Sequence, residues 1–451
     1  MIFLKFFRRI VKGFLLFLLF NCVFLFAFFG FPLPLKICAA TALFAFYLYF
    51  NVNPYTYEKR SGQRRMRILM GGRECILMAM PCFLLELLLY SLIIFSVVYP
   101  SAQTAVLIIN AVVFVVLISV LVINGFARIF ITAKQAGILL KLLFFFFWWV
   151  PVLNIVLLKK LSNSAIREYV FTVKKADLNE SRRHKELCRT KYPLLLVHGV
   201  FWRDWENRNY WGRIPKELEV NGAACYYGNN KSSASIEESG VELADRIQSI
   251  VSETGCEKLN IIAHSKGGLD CRYAISCMGM GKYTASLTTI CTPHYGCNSI
   301  RKLVERIPNK AMHYINKKYK TLYSILGDEN PDFLSGLAGI TDTVCAALNE
   351  KMPDDPNVYY QSVAAKMKSR KSAAFPLNLG YELIKPTEGD NDGLVAVNSM
   401  AWGNFLGVVS PAGKQGISHG DIIDLTRMNI EGFDVFEFYV SLVNSLKERG
   451  F

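Results

Sequence analysis

The chain has 451 residues, of which 52% are hydrophobic, and its formal net charge is +15. This length accommodates one large domain and a further region. Residues 1–160 hold 16 Lys/Arg and 3 Asp/Glu, whereas the remaining residues hold 35 Lys/Arg and 33 Asp/Glu. The excess positive charge therefore belongs to the hydrophobic part, as in membrane proteins. Because the second part lacks a basic excess, we exclude nucleic acid as a partner.

Five nearly uncharged segments lie in the first 160 residues, and about 20 apolar residues suffice to cross a bilayer. They are Gly13–Phe31, Ile37–Val52, Cys75–Tyr99, Thr104–Asn124 and Gly137–Leu158. The alternative is that these segments are buried helices of a soluble protein, but soluble helices of this length show a polar face, which these segments lack. The first segment could instead be a secretory signal, and the short second one a re-entrant hairpin after Pro32 and Pro34. We predict an all-α transmembrane region of about five spans over residues 1–160.

Basic residues concentrate in alternate connections between these segments, which predicts the orientation of the chain. They are Arg8, Arg9 and Lys12 before the first segment, Lys59, Arg60, Arg64, Arg65, Arg67 and Arg73 before the third, and Arg128 and Lys134 before the fifth. With five spans, all of these lie on the cytoplasmic side. We therefore predict a multi-pass cell-membrane protein whose C-terminal domain is extracytoplasmic. Lys159 and Lys160, which would lie outside, argue against this orientation.

The chain contains 12 cysteines, but their spacing indicates neither a metal site nor a disulfide framework. Cys271/Cys277 and Cys291/Cys297 are too far apart for a Cys-x-x-Cys site. Extracellular domains usually pair their cysteines, whereas free thiols fit an interior domain or an anaerobic organism. We predict no bound metal.

The second part begins with a polar linker that contains some helix, predicted over residues 161–191, and continues as a globular domain over 192–451. Leu194–Val197, Leu259–Ile262 and Ala285–Ile290 are apolar runs typical of strands buried on both faces of a parallel sheet. Apolar residues recur with helical spacing in Glu237–Thr254. Strands that alternate with helices indicate an α/β fold.

The segment Ala263–Gly268 directly follows the second strand and has the small-x-Ser-x-Gly pattern of a nucleophile elbow. Small residues on both sides of Ser265 allow strand and helix to approach closely. The alternative is an ordinary helix N-cap serine. We predict that Ser265 is a catalytic nucleophile.

Two backbone amides are expected to stabilise the negative charge that develops during attack by Ser265. Lys266 begins the following helix, whose N-terminal amides favour an anion. The second donor is expected at Val200, after His198-Gly199, at the end of the first strand. An ordinary turn is the alternative for that dipeptide.

The predicted base and acid follow from chain order, since a strand-turn-helix serine precedes its acid and then its histidine. Of six histidines, only His419 comes late in the chain. Asp390 and Asp392 lie between the serine and this histidine. An acidic turn is the alternative for this segment, because Asn-Asp-Gly is a strong turn signal. At this stage the two aspartates remain alternatives.

Residues 192–451 resemble the bacterial triacylglycerol lipases of the α/β-hydrolase fold related to the Pseudomonas and Burkholderia enzymes. The matching segments are Leu196–Gly199, Tyr210–Gly212, Ala263–Gly268 with Arg272-Tyr273, Thr292–Gly296, Asn391–Val395 and His419–Asp421. The resemblance implies a mostly parallel sheet and selects Asp392 as the acid. The membrane region has no counterpart in those secreted enzymes.

The chain also departs from the pattern of these lipases. Asp421 matches one aspartate of the family's calcium site, but Arg370–Asn378 offers no second acid, so calcium is not expected. Asn398 replaces a cysteine of the family's disulfide. Asn298–Leu348 corresponds to the family's lid, and it contains an apolar helical stripe formed by Ile300, Leu303, Val304 and Ile307. Such a stripe is more often core packing than a lipid-contacting face.

Together these residues predict a membrane-anchored carboxylic ester hydrolase, with an extracytoplasmic catalytic domain that acts on lipid or other esters without a cofactor. His419 would deprotonate Ser265 while Asp392 orients His419, and the Val200 and Lys266 amides would hold the oxyanion. One alternative is an acyltransferase that uses the same triad. Another is a non-catalytic membrane protein with a hydrolase-like binding domain.

Overall fold

A computed structural model describes residues 2–54, 64–95, 104–147, 150–200, 209–231, 234–299, 301–302 and 339–451. The chain divides into two compact units, Met1–Leu178 and Asn179–Phe451. The predicted lid stripe of Ile300, Leu303, Val304 and Ile307 lies outside the described residues.

Helices form most of the described residues of the first unit, as the apolar sequence predicts. Its helices are α1 (Ile2–Phe20), α2 (Cys22–Phe28), α3 (Leu33–Val52), α4 (Arg64–Phe95), α5 (Thr104–Thr132), α6 (Ile138–Phe147) and α7 (Pro151–Arg182). In length and composition, α3, α4 and α5 are sufficient to cross a membrane. The pair α1 and α2 is bent by 69° and forms either a broken span or a re-entrant loop. The described residues thus contain three or four candidate spans, instead of about five.

The predicted fifth span is wrong as a single helix. The segment Gly137–Leu158 is divided between α6 and α7, and α6 has only 10 residues. Pro151 begins α7, where a proline is tolerated because the first helical amides have no intrahelical acceptor. Helix α7 then continues through most of the segment that we predicted as a polar linker.

The second unit contains a six-stranded parallel sheet with the order β2-β1-β3-β4-β5-β6. The strands are β1 (Leu194–Val197), β2 (Cys225–Tyr227), β3 (Leu259–His264), β4 (Thr284–Ile290), β5 (Tyr359–Ala365) and β6 (Asn404–Val409). The central strands β1, β3 and β4 are buried along their whole length, which explains their continuous apolar sequences. This sheet confirms the predicted α/β class.

Helices accompany the sheet of the second unit. They are α8 (Ile214–Val220), α9 (Ile236–Thr254), α10 (Lys266–Cys277), α11 (Asp342–Lys351), α12 (Leu377–Glu388) and α13 (Val435–Glu448). Helix α9 begins with a capping box at Ser235 and ends at Gly255, which has a left-handed conformation. Leu243 and Ile247 of α9 join Leu195 and Ile261 of the sheet in the hydrophobic core. The core thereby holds the carboxyl ends of β1 and β3, where the predicted site begins.

Candidate active site

Ser265 lies in a strained turn between β3 and α10. Its φ of 57° and ψ of −135° are unusual for a residue with a side chain. The amide of Ser265 donates to Ile290 O at 2.9 Å, and Thr292 Oγ1 donates to Ser265 O at 2.8 Å. Although Ser265 stands at the N-cap position of α10, its side chain forms no capping hydrogen bond. This geometry matches the nucleophile elbow and not the N-cap alternative.

The glycines around this turn are required by close contacts. A Cβ atom added to Gly267 would lie 2.3 Å from His198 O, and one added to Gly268 would lie 2.2 Å from Thr292 Oγ1. A Cβ atom on Gly199 would lie 2.8 Å from the Ser265 Cβ atom. The loop after β1 therefore approaches the serine as closely as the sequence predicts.

The structure brings Asp392 and His419 together in a buried site. His419 Nδ1 lies 2.6 Å from Asp392 Oδ2, and the His419 amide donates to Asp392 O at 2.9 Å. The other carboxylate oxygen, Oδ1, accepts hydrogen bonds from the amides of Leu394 at 2.9 Å and Val395 at 2.8 Å. Asp392 is fully buried. These contacts fix the carboxylate toward one ring nitrogen of His419, whose other ring nitrogen could then accept a proton.

Asp390, the alternative acid, points elsewhere. Its carboxylate forms ion pairs with Lys366 and Lys385, and its side chain is 44% exposed. The hydrogen bonds from these two lysines lower the pKa of Asp390 to about 2. Of the two aspartates, only Asp392 has a contact with His419 in the described part of the chain.

His264 links the elbow to His419. The two imidazole rings are 4.4 Å apart, and Tyr210 Oη lies 2.7 Å from His264 Nδ1, so the His264 side chain is held beside His419. Burial lowers the pKa of His264 well below its usual value. Within the described residues, no hydrogen bond joins the Ser265 hydroxyl to His419, and such bonds often form only with substrate present.

The predicted oxyanion donors flank the serine on two sides. Val200 directly follows the closely approaching Gly199, and Lys266 provides the first amide of α10. Among the described residues, neither amide donates to another backbone carbonyl.

The side chain of Lys266 has a role that the sequence did not predict. It is 2% exposed, and Nζ lies 2.6 Å from Asp270 Oδ1, 3.2 Å from Ser239 Oγ and 3.4 Å from Ser235 O. Burial raises the pKa of Asp270 to about 6, although the Lys266 ammonium opposes this shift. The ion pair lies within α10, and the hydrogen bonds of Lys266 to Ser235 and Ser239 connect the first turn of α10 to the beginning of α9. The four-residue spacing of Lys266 and Asp270 could have indicated an ion pair, but not its burial.

Asp421, the position that resembles a calcium ligand, has a partner within its own loop. Its Oδ2 accepts hydrogen bonds from the Ser418 hydroxyl at 2.7 Å and from the Ser418 amide at 3.1 Å. In the described ranges, no group of three or more His, Cys, Asp or Glu residues has a geometry suited to a metal ion. All 12 cysteines are free thiols.

The sequence of this chain is similar to those of known esterases and lipases. A family described as putative serine esterase (DUF676) matches residues 206–327, which include the elbow. A triacylglycerol lipase of Vibrio cholerae is 36% identical over 241 residues, 48% of this chain and 76% of that protein. The chain belongs to the triacylglycerol lipase family. Members of this lipase family are carboxylic ester hydrolases, and so is this chain.

Other lipases match with lower identity or over less of their length. Triacylglycerol lipase 2 of Saccharomyces cerevisiae is 28% identical over 262 residues, 54% of this chain and 74% of that protein. Two further triacylglycerol lipases are matched over 54% and 49% of their own lengths. Among solved structures, the Staphylococcus hyicus lipase has a TM-score of 0.47 at 18% identity, covering 58% of this chain and 96% of that one.

Proposed function

We propose that Ser265, Asp392 and His419 form the catalytic triad of this lipase-family hydrolase. The observation that supports the proposal most strongly is the buried contact of 2.6 Å between His419 Nδ1 and Asp392 Oδ2, beside the strained turn of Ser265. A nucleophile, a base and an orienting acid are the three groups that acyl transfer through serine requires.

In the proposed mechanism, His419 accepts the Ser265 proton while Oγ attacks the ester carbonyl. The carbonyl oxygen becomes negatively charged and accepts hydrogen bonds from the Val200 and Lys266 amides. His419 then gives its proton to the departing alcohol, which leaves an acyl-serine. A water molecule, deprotonated by His419, hydrolyses this ester and restores the serine. Asp392 holds the imidazole in the required tautomer and stabilises its charged form.

We further propose that the substrate is a lipid ester and that residues 1–160 anchor the protein in the cell membrane. The support is the candidate spans α3, α4 and α5, together with the triacylglycerol lipases among the relatives. A linker over residues 161–191, largely formed by α7, then precedes a catalytic domain over 192–451. Anchoring would keep the hydrolase beside its lipid substrate.

A fluorophosphonate probe applied to membranes tests the triad. We expect wild type to be labelled at Ser265, and Ser265→Ala to lose labelling and about 10⁶-fold in kcat, the loss typical of a removed serine nucleophile. Ser252→Ala, which changes an exposed serine of α9, serves as the matched control and should label normally. Labelling of the Ser265→Ala protein at another serine would refute the assignment. Acyl transfer to an added alcohol in preference to water would favour the acyltransferase alternative.

The catalytic domain is proposed to be extracytoplasmic, because the basic residues in the first part of α1 and those in Arg64–Arg73 and Arg128–Lys134 favour one common cytoplasmic side. This orientation requires α6 and the apolar beginning of α7 to make a broken fifth crossing. Protease added to intact cells or spheroplasts should then digest residues 192–451. Digestion only after the membrane is broken would place the domain inside and make the cell's own lipids its substrates.

A further inference from the structure

A buried carboxyl group lies among the apolar helices of the first unit. Glu86 belongs to α4 and is 3% exposed. Asn21 Nδ2 donates to Glu86 Oε2 at 2.8 Å, whereas Oε1 is buried and has no hydrogen-bond partner among the described residues. Asn21 stands between α1 and α2, where this pair of helices is bent by 69°. The bend therefore holds a polar side chain against an acidic one.

Two contacts with the same spacing show that α1 and α4 run side by side in one direction. Arg9 of α1 donates two hydrogen bonds to the carboxylate of Glu74 in α4, at 3.0 and 2.9 Å. Asn21 and Glu86, which form the second contact, each lie 12 residues further along (9 to 21 and 74 to 86). Twelve residues correspond to about 18 Å of helix, and the hydrocarbon core of a bilayer is about 30 Å thick. If the basic end of α1 marks the membrane boundary, Glu86 lies deep in the hydrocarbon.

The hydrogen bonds around Glu86 leave no donor for its Oε1 atom. The two N–H groups of the Asn21 amide go to Glu86 Oε2 and to a backbone carbonyl of α1 at 3.2 Å. Those of Asn110, in α5, go to Asn21 Oδ1 at 3.1 Å and to Tyr90 Oη at 3.3 Å. The Tyr90 hydroxyl itself donates to a backbone carbonyl of α5 at 2.9 Å. Because an ionised carboxylate accepts hydrogen bonds at both oxygens, these surroundings are incomplete for the charged form.

In the described part of the chain, no basic side chain contacts Glu86. Its titratable neighbours are Cys82 and Tyr90, one turn away on either side in α4, and the cysteine after Asn21, all uncharged in their ordinary forms at neutral pH. Helix α5 contributes no titratable side chain here. Lys12, the nearest basic residue along α1, is nine residues before Asn21, about 13 Å along the helix. A charge on Glu86 would thus be unpaired among apolar helices, whereas a protonated carboxyl group is neutral.

We propose that Glu86 binds a proton inside the membrane region, and that release of this proton loosens the bend between α1 and α2. A proton needs one oxygen, and Oε1 provides it, whereas a hard metal cation would need about six oxygen ligands. The inference rests on the proposed membrane insertion, but not on the catalytic triad.

The link between the proton and the bend follows from the shared hydrogen bonds. Asn21, at the bend, contacts Glu86, and Asn110 contacts Asn21. Asn110 Oδ1 also accepts a hydrogen bond from the Phe24 amide, in the first turn of α2, at 3.1 Å. A negative charge on Glu86 requires further donors, which can reach Oε1 only if this arrangement opens.

Dicyclohexylcarbodiimide tests for the proton, because a protonated carboxyl group adds to the carbodiimide and, away from water, rearranges to a stable N-acylurea. The full-length protein in nanodiscs is treated at neutral pH, and modified peptides are mapped by mass spectrometry. We expect Glu86 to be modified, the modification to decrease as pH rises, and Glu86→Gln to abolish it. Glu74 is the matched control, since it lies in the same helix and is 4% exposed, but its carboxylate is bonded to Arg9 and should stay unmodified.

Arg9→Gln removes the partner of Glu74 and should make Glu74 reactive, which verifies that the reagent reaches α4. Modification of Glu74 in this variant while Glu86 stays unmodified would overturn the proposal. Protection of Glu86 by sodium at constant pH would identify a metal cation as the ligand and would overturn it as well.

Hydrogen exchange measures the bend independently of the reagent. Exchange at the Phe24 amide should rise with pH more steeply in wild type than in Glu86→Gln, whose neutral amide has no proton to release. The same pH dependence in both proteins would contradict the proposal. Extraction of membranes at alkaline pH tests the membrane insertion on which the inference rests. If the protein is released, insertion is wrong, whereas an embedded protein with an unreactive Glu86 means that the proton site alone is wrong.

Discussion

The identity of the acid depends on one carboxylate and its surroundings. Asp392 is fully buried and bonded to His419, whereas Asp390 is half exposed and paired with two lysines. We predict that Asp392→Asn lowers kcat about 10⁴-fold, because the amide would favour the wrong tautomer of the imidazole. Hydrolysis of a short-chain ester by the purified protein measures this loss.

Asp390→Asn is the matched control for this substitution. It should leave kcat within a few-fold of wild type, because Asp390 contacts Lys366 and Lys385 and not His419. The folded structure should also persist, because ion pairs on the surface contribute little to stability. If Asp390→Asn were the more damaging change, the triad would have to include Asp390 and the contact between Asp392 and His419 would be only structural.

At the scale of elements, the buried ion pair of Lys266 and Asp270 lies within the beginning of α10, and Lys266 also donates a hydrogen bond to Ser239 of α9. Removal of one partner leaves a buried charge unpaired, which typically destabilises a protein by about 3–5 kcal/mol. We therefore expect Lys266→Met and Asp270→Leu each to lower the Tm of the detergent-solubilised protein. The double variant should be less destabilised than the sum of the single changes. Simple additivity would mean that the two side chains act independently.

The same pair predicts a pH dependence. Burial raises the pKa of Asp270 to about 6, compared with about 3.9 for this carboxyl in an unfolded chain. Between these values the folded state holds more protons, so this group's contribution to the free energy of unfolding falls as pH rises. The Tm of wild type relative to the Lys266→Met/Asp270→Leu variant should therefore fall between about pH 4 and pH 6. A relative Tm that rises in this range would show that folding lowers the pKa.

At the scale of the whole molecule, we expect the hydrolase to need no calcium. Arg370–Asn378 contains no acid, and Asp421 is bonded to Ser418. A calcium ion requires about six oxygen ligands, which one carboxylate cannot provide. Activity and Tm should therefore be unchanged after treatment with a chelator. Activity that is lost in chelator and restored by calcium, but not by magnesium, would reveal a ligand set contributed by other residues.

Elements with a strong local signal could be predicted closely. The strands Leu194–Val197 and Leu259–Ile262 and the helix at Glu237–Thr254 agree with β1, β3 and α9 within about two residues, because burial dictates their apolar patterns. The predicted span Gly137–Leu158 was wrong as one helix, since hydropathy averages over the segment that separates α6 from α7. The segment after Leu161 was predicted as a polar linker with some helix, and α7 continues through it to Arg182, because polarity alone does not set the length of a solvated helix.

By itself, the sequence determined the parts of this protein that depend on neighbouring residues. These parts are the apolar helices, the strand-turn-helix at Ser265 and the late position of His419, since each follows from local periodicity, small residues or chain order. Only the tertiary structure shows that Asp392, and not Asp390, contacts His419 among the described residues, and only it places Lys266 and Asp270 in a buried pair. The physical reason is that burial and partners depend on residues distant in sequence, such as Asp392 and His419, which are 27 positions apart.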